Sequence, residues 1–147
     1  MIVPLTAACV SAAATAYSLA EPVLWTLLKA EMGQVGACTA QANGTHDCGP
    51  AQINAETWVE PLALLLRRPP SEVFEGIRDN GCFNVYTAAY ILRVKLIEAH
   101  GDPWDAMGRY NSATPARKHA YQQRLIEAYN QLFSTSVTRG RLPPSSR

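Results

Sequence analysis

Residues 43–54 read NGTHDCGPAQIN, and the reading of this stretch decides the fold. Asn43-Gly44 is the strongest short hairpin signal in the chain, because both residue types accept the positive φ angles that a tight reversal needs. Further on, Gln52 and Asn54 flank Ile53, so in an extended segment the two amides point away from the isoleucine, towards one side. Asn54 is then placed to cap a following helix. Residues 37–53 thus predict a small β-hairpin set between helical segments.

Upstream, Glu21 and Pro22 open a helix running to about Met32, proline being tolerated in a first turn and an acid favoured there. Leu24, Leu27, Leu28 and Glu31 fall at i, i+3, i+4 and i+7, which puts a carboxyl group on the apolar face. Gly33 and Gly36 are expected to break the helix. A carboxyl so placed either finds a partner or keeps its proton to higher pH, and the second outcome makes a general acid. The simpler alternative is a helix-end glutamate turned to solvent or bonded to Lys29. The hairpin follows at a spacing that lets it fold back over the helix end, which makes Asp47 a second carboxylate facing the same gap. Asp47 also suits a plain turn residue bonded to nearby amides.

The remaining segments read as helices. The first covers residues 6–17, one begins after Asn54 and runs to Leu66 with Pro61 inside it, and a short one extends from a Ser71 cap to Ile77. Val85, Ala88, Ala89, Leu92 and Leu96 mark a central buried helix over residues 84–100, ended by Gly101. Asp102-Pro103 starts another through Tyr110, and a last amphipathic helix covers residues 116–133. Residues 1–134 therefore form one domain, and residues 135–147, rich in Ser, Arg and Pro, form a flexible tail with little to bury. The expected class is mainly α, or α+β, with the small hairpin beside a cleft.

Composition bounds the function. The 147 residues suit one core, with 48% hydrophobic and 17% charged residues. Thirteen Lys and Arg against twelve Asp and Glu give no broad footprint for nucleic acid or an acidic membrane. The small-residue N-terminal stretch has no Lys or Arg and is too short and interrupted to span a bilayer, so it reads as a helix of the domain. Cys9, Cys38, Cys48 and Cys82 include no C-x-x-C pair, which argues against a zinc site and for two disulfides in an oxidising, periplasmic or exported setting. Cys38 and Cys48 flank the hairpin and are placed to staple it, leaving Cys9 for Cys82; buried free thiols are the alternative. His46, His100 and His119 show no ligand spacing and read as surface residues, and no metal or cofactor is expected. Trp25, Trp58 and Trp104 read mostly as core, with sugar stacking as the other use of such rings.

Glu31, NGTHDCGPAQIN, CFNVYTAAYIL (82–92) and GRYNSATP (108–115) together resemble the lysozyme-like lytic transglycosylases, with the SLT domain, associated with conjugation, type IV secretion and pilus systems. The hairpin pattern is also similar to c-type lysozymes. The resemblance extends over residues 9–129 and lies in the ordered set of four motifs. It implies a lysozyme-like fold in which Glu31 is the single catalytic acid/base. It further implies that Gly49, Gln52 and Ile53 line a sugar groove, that Tyr110 and Asn111 form a pair near the acid, and that Asn84 and Ala89 belong to the central-helix motif. Asp47 and Asn54 join the substrate-binding set on their own placement. Met32 stands where many members have serine and conjugation-type members often have glycine; Ala51 stands where methionine is frequent. The implied substrate is peptidoglycan glycan strands, cleaved between N-acetylmuramic acid and N-acetylglucosamine with a 1,6-anhydro product, beside a secretion or conjugation machine. A muramidase hydrolysing the same bond, and a catalytically silent glycan-binding module, are the rival expectations.

Overall fold

The computed structural model describes residues 1–134; the expected tail at 135–147 lies outside the described residues. Small residues let the first helix, α1 (Ala7–Ala16), lie close on its neighbours: Val10, Ala13 and Ala14 are buried, and the Thr6 hydroxyl accepts a bond from the Cys9 amide to cap it. The helix α2 (Glu21–Glu31) follows with Pro22 in its first turn. Its stripe packs as the periodicity requires, with Leu24 and Leu27 fully buried. Termination differs from expectation. Met32, not a glycine, takes the left-handed conformation (φ 56°), while Gly33 serves close approach: a Cβ there would overlap the Gly49 carbonyl oxygen.

The hairpin is a three-stranded antiparallel sheet in the order β1 (Cys38–Ala40), β2 (His46–Cys48), β3 (Ile53–Asn54). Cys38 faces Cys48, Thr39 faces Asp47, and Asp47 in turn faces Asn54. Five residues, 41–45, make the reversal, with the Gln41 carbonyl accepting from Gly44 and Gly44 at φ 86°. The segment at Gln52 is not extended: Gln52 is left-handed at φ 51°, and only Ile53 and Asn54 form the strand. The Asn54 cap was legible; its carboxamide oxygen accepts from the Thr57 amide at 3.0 Å at the start of α3 (Ala55–Leu66).

Two helix starts move N-terminally from the sequence reading. The helix α4 (Pro70–Asp79) begins at Pro70, so Ser71 lies inside its first turn and caps nothing. The central helix α5 (Gly81–Glu98) begins three residues before Asn84 because the Asn80 side chain caps the Phe83 amide at 3.0 Å. Asp102 caps α6 (Pro103–Asn111) as expected. The last helix, α7 (Pro115–Tyr129), gives way to a π-helical turn over Asn130–Ser134 instead of running on as α-helix to residue 133. The buried face of α5 meets α1, α4 and α6, and α2 packs on α7. Arg93 on α5 donates to the carbonyls of Tyr17 and Ser18, satisfying the end of α1. Among the described residues no helix is long and apolar enough to cross a membrane.

Both disulfides form as Cys9–Cys82 and Cys38–Cys48, with Cα separations of 5.4 and 4.1 Å. The first closes a loop of 73 residues and joins α1 to the start of α5; the second closes 10 and ties β1 to β2. Replacing the first pair by alanine is expected to cost about 4 kcal/mol and the second about 3 kcal/mol in the chain-entropy account. Urea unfolding of the two double variants measures both, and the longer loop must give the larger loss.

Candidate active site

A cleft of about 580 Å³ runs between the sheet and the corner joining α6 to α7, with Glu31 bordering it. The last residue of α2 brings Glu31 there because the apolar stripe faces the core and the chain reverses immediately afterwards. Its side chain is only 9% exposed. Tyr121 of α7 donates its hydroxyl to Oε2 at 2.7 Å, and Arg124 stands 3.8 Å from Oε1 while bonding the Ala30 carbonyl. Burial pushes the Glu31 carboxyl from 4.5 up to about 7; the Tyr121 bond and the Arg124 charge oppose the rise, and the Asp47 charge adds slightly to it. Near neutral pH the group is therefore poised to give up a proton or to take one back.

The sheet supplies the facing wall. Asp47 borders the cleft from β2, and its Oδ1 accepts from Asn54 Nδ2 at 2.9 Å. Burial raises its carboxyl above the ordinary value against that bond, with the Glu56 charge adding to the rise. Asn54 is fully engaged: its amide nitrogen also donates to the Thr45 hydroxyl, and its oxygen caps α3. Gln52 donates from Nε2 to the carbonyls of Gly49 and Asp47 at 3.1 and 3.3 Å.

Of the residues expected to line the groove, Asp47, Gln52, Ile53, Asn54, Tyr110 and Asn111 do border it. Gly49 does not. It is buried behind the wall at φ 74°, where any Cβ would overlap the Asn84 carboxamide, so its contribution is to packing. Asn84, completely buried, donates from Nδ2 to the carbonyls of Cys48 (3.0 Å) and Ile77 (2.8 Å) and accepts at Oδ1 from the Ala51 amide (2.9 Å). Tyr110 donates to the Ala51 carbonyl at 2.7 Å from the other side. Ala89 is fully buried in the core.

Sequence reasoning missed the group that bonds the acid. Tyr121 lies on the buried face of the last helix at 1% exposure; the available signal was that a buried tyrosine hydroxyl must find a partner. Trp58 packs against the core as read and also borders the cleft, edge-on to Tyr90 at 6.4 Å and with Lys95 Nζ 5.9 Å from its ring centre. Among the described residues no group of three or more His, Cys, Asp or Glu could hold a metal ion.

Two outcomes follow from this geometry. With a folded pKa of about 7 against 4.5, the native state holds the Glu31 proton more tightly than the unfolded chain. Its stabilising contribution is complete below pH 4.5 and is lost as pH rises through 7. Glu31→Gln is thus expected to gain about 3 kcal/mol of stability over the wild type at alkaline pH relative to acid pH, measured by urea unfolding across that range. Tyr121→Phe removes a bond that favours the charged carboxylate, so the Glu31 carboxyl should titrate higher still, as followed by carbon NMR of the glutamate side chain. Compared with protein-family models and with curated proteins, the chain matches none.

Proposed function

We propose that the protein is a peptidoglycan lytic transglycosylase, acting outside the cytoplasm to open glycan strands locally for a secretion or conjugation apparatus. The observation that carries this reading is a single carboxyl group, 9% exposed and with its pKa raised to about 7, at the edge of a 580 Å³ cleft. Glu31 in its protonated form donates to the oxygen bridging N-acetylmuramic acid and N-acetylglucosamine. As that C–O bond breaks, the carboxylate accepts the proton of the muramyl 6-hydroxyl, whose oxygen closes on C1. The 1,6-anhydro end forms, the glutamic acid is regenerated, and no water is consumed. Tyr121 and Arg124 moderate the swing in basicity, since both favour the carboxylate that must exist between the two transfers.

Asp47 is the basis of the hydrolytic rival, in which a second carboxylate acts as nucleophile close to the acid. Electrostatics favour the single-carboxyl route. The Asp47 charge adds only slightly to the rise at Glu31, and the Asp47 carboxyl is raised first by burial, against its bond from Asn54, with the Glu56 charge adding to the rise. Carboxylates within nucleophile distance of one another would couple strongly. Two disulfides support an oxidising compartment, and the resemblance of the four motifs supports the substrate and the anhydro outcome.

Digestion of purified sacculi followed by mass spectrometry tests the proposal. Anhydromuramyl ends are expected from the wild type, with release reduced on the order of 10²- to 10⁴-fold in Glu31→Gln. Reducing ends would favour the muramidase. Equal, negligible release by both proteins, with binding retained, would favour the silent module.

A further inference from the structure

The cleft is electrically lopsided. Its sheet wall offers neutral amides and hydroxyls together with Asp47, whereas Lys95 of α5, Arg109 of α6 and Arg117 of α7 border it elsewhere. Two of these cations are neutralised locally. Lys95 pairs with Glu98 at 3.0 Å, and Arg109 with Asp105 at 2.6 Å. Asp105 is also claimed by Lys118, so at the α6–α7 corner two cations share one carboxylate. Arg117 makes no ion pair or side-chain hydrogen bond among the described residues, and it is exposed on the cleft margin. A guanidinium in that position offers a forked set of donors matched to a carboxylate.

Resting on the transglycosylase reading, we infer that Arg117 is a specificity-determining residue that binds a carboxylate of the peptide stem carried by the muramyl sugar. Its position fixes the orientation of the strand: the stem side of the glycan lies along the α6–α7 corner, and the bare sugar edge faces Asp47 and Gln52. Repulsion from Asp47 disfavours the reverse orientation, in which a stem carboxylate would meet the sheet wall.

The experiment is a charge cycle on soluble, uncrosslinked glycan strands, either native or with their stem carboxyls converted to amides. Amidation preserves shape while deleting the charge. For the wild type it is expected to lower kcat/KM about fivefold, the reach of one solvent-exposed ion pair. In Arg117→Ala the ratio between the two substrates should fall close to one, and Arg117→Lys should restore part of it. Equal sensitivity to amidation in the wild type and Arg117→Ala would overturn the inference while leaving the transglycosylase reading intact. Failure of the wild type to cut either strand would remove both. Far-ultraviolet circular dichroism and the urea midpoint of each variant show that the exposed substitution leaves the fold in place.

Discussion

The buried carboxamide of Asn84 is the interaction on which the cleft depends. Three of its hydrogen-bonding positions are filled by backbone groups of two different segments, at Cys48, Ala51 and Ile77. A fully buried amide must be satisfied, or it costs several kcal/mol, so these bonds fix the sheet against the central helix. Gly49 is what lets the amide approach, since a side chain there would occupy its place. Once that loop is fixed, the Ala51 carbonyl is positioned for Tyr110, the Gly49 carbonyl for Gln52, and β2 for Asp47. The side chain that ties the sheet wall to the central helix is thus one that does not line the cleft.

Glu31 illustrates the opposite arrangement, in which a titratable group is held against its own preference. Desolvation alone would keep the carboxyl neutral, while full pairing with a buried arginine would keep it ionised. The structure gives it neither. It has one phenol hydroxyl at hydrogen-bond distance and one guanidinium at 3.8 Å, and the balance falls near neutrality. A group balanced in this way costs the folded state stability whenever it ionises, which accords with the proposed role of Glu31.

Much of this was legible in the sequence, for reasons tied to range. Helix caps at Asn54 and Asp102 are decided by neighbours within three residues, and the apolar stripe that delivers Glu31 to the interior lies within one helix. The hairpin turn at Asn43-Gly44 is equally local. Tyr121 and Arg124 reach Glu31 from 90 or more residues away, and no spacing rule connects them. The same holds for Gly49, whose motif position is apparent but whose partner is the Asn84 side chain on α5. Helix starts at Pro70 and Gly81 lie N-terminal to those expected because a proline in the first turn opens the one and the Asn80 side chain caps the other. The third strand, only two residues long, was hidden by the left-handed turn at Gln52.

The two cleft walls are fastened by different physics, and this bears on how the proposed reaction could proceed. The sheet wall is tied by the Cys38–Cys48 bond, the Asn84 amide and the Asn54 side chain, which joins Thr45, Asp47 and α3. On the other side, Asp105 of α6 binds both Arg109 and Lys118 and so locks α6 to α7. Gly108 permits close packing there, because a Cβ would press into Lys118 and Gln122. Tyr121, on the helix so locked, carries the hydroxyl that holds the acid. Displacement of α7 would therefore alter both the orientation and the proton affinity of Glu31. Anhydro-ring closure asks for this coupling, since one carboxyl group must serve two oxygens in succession within a fixed geometry.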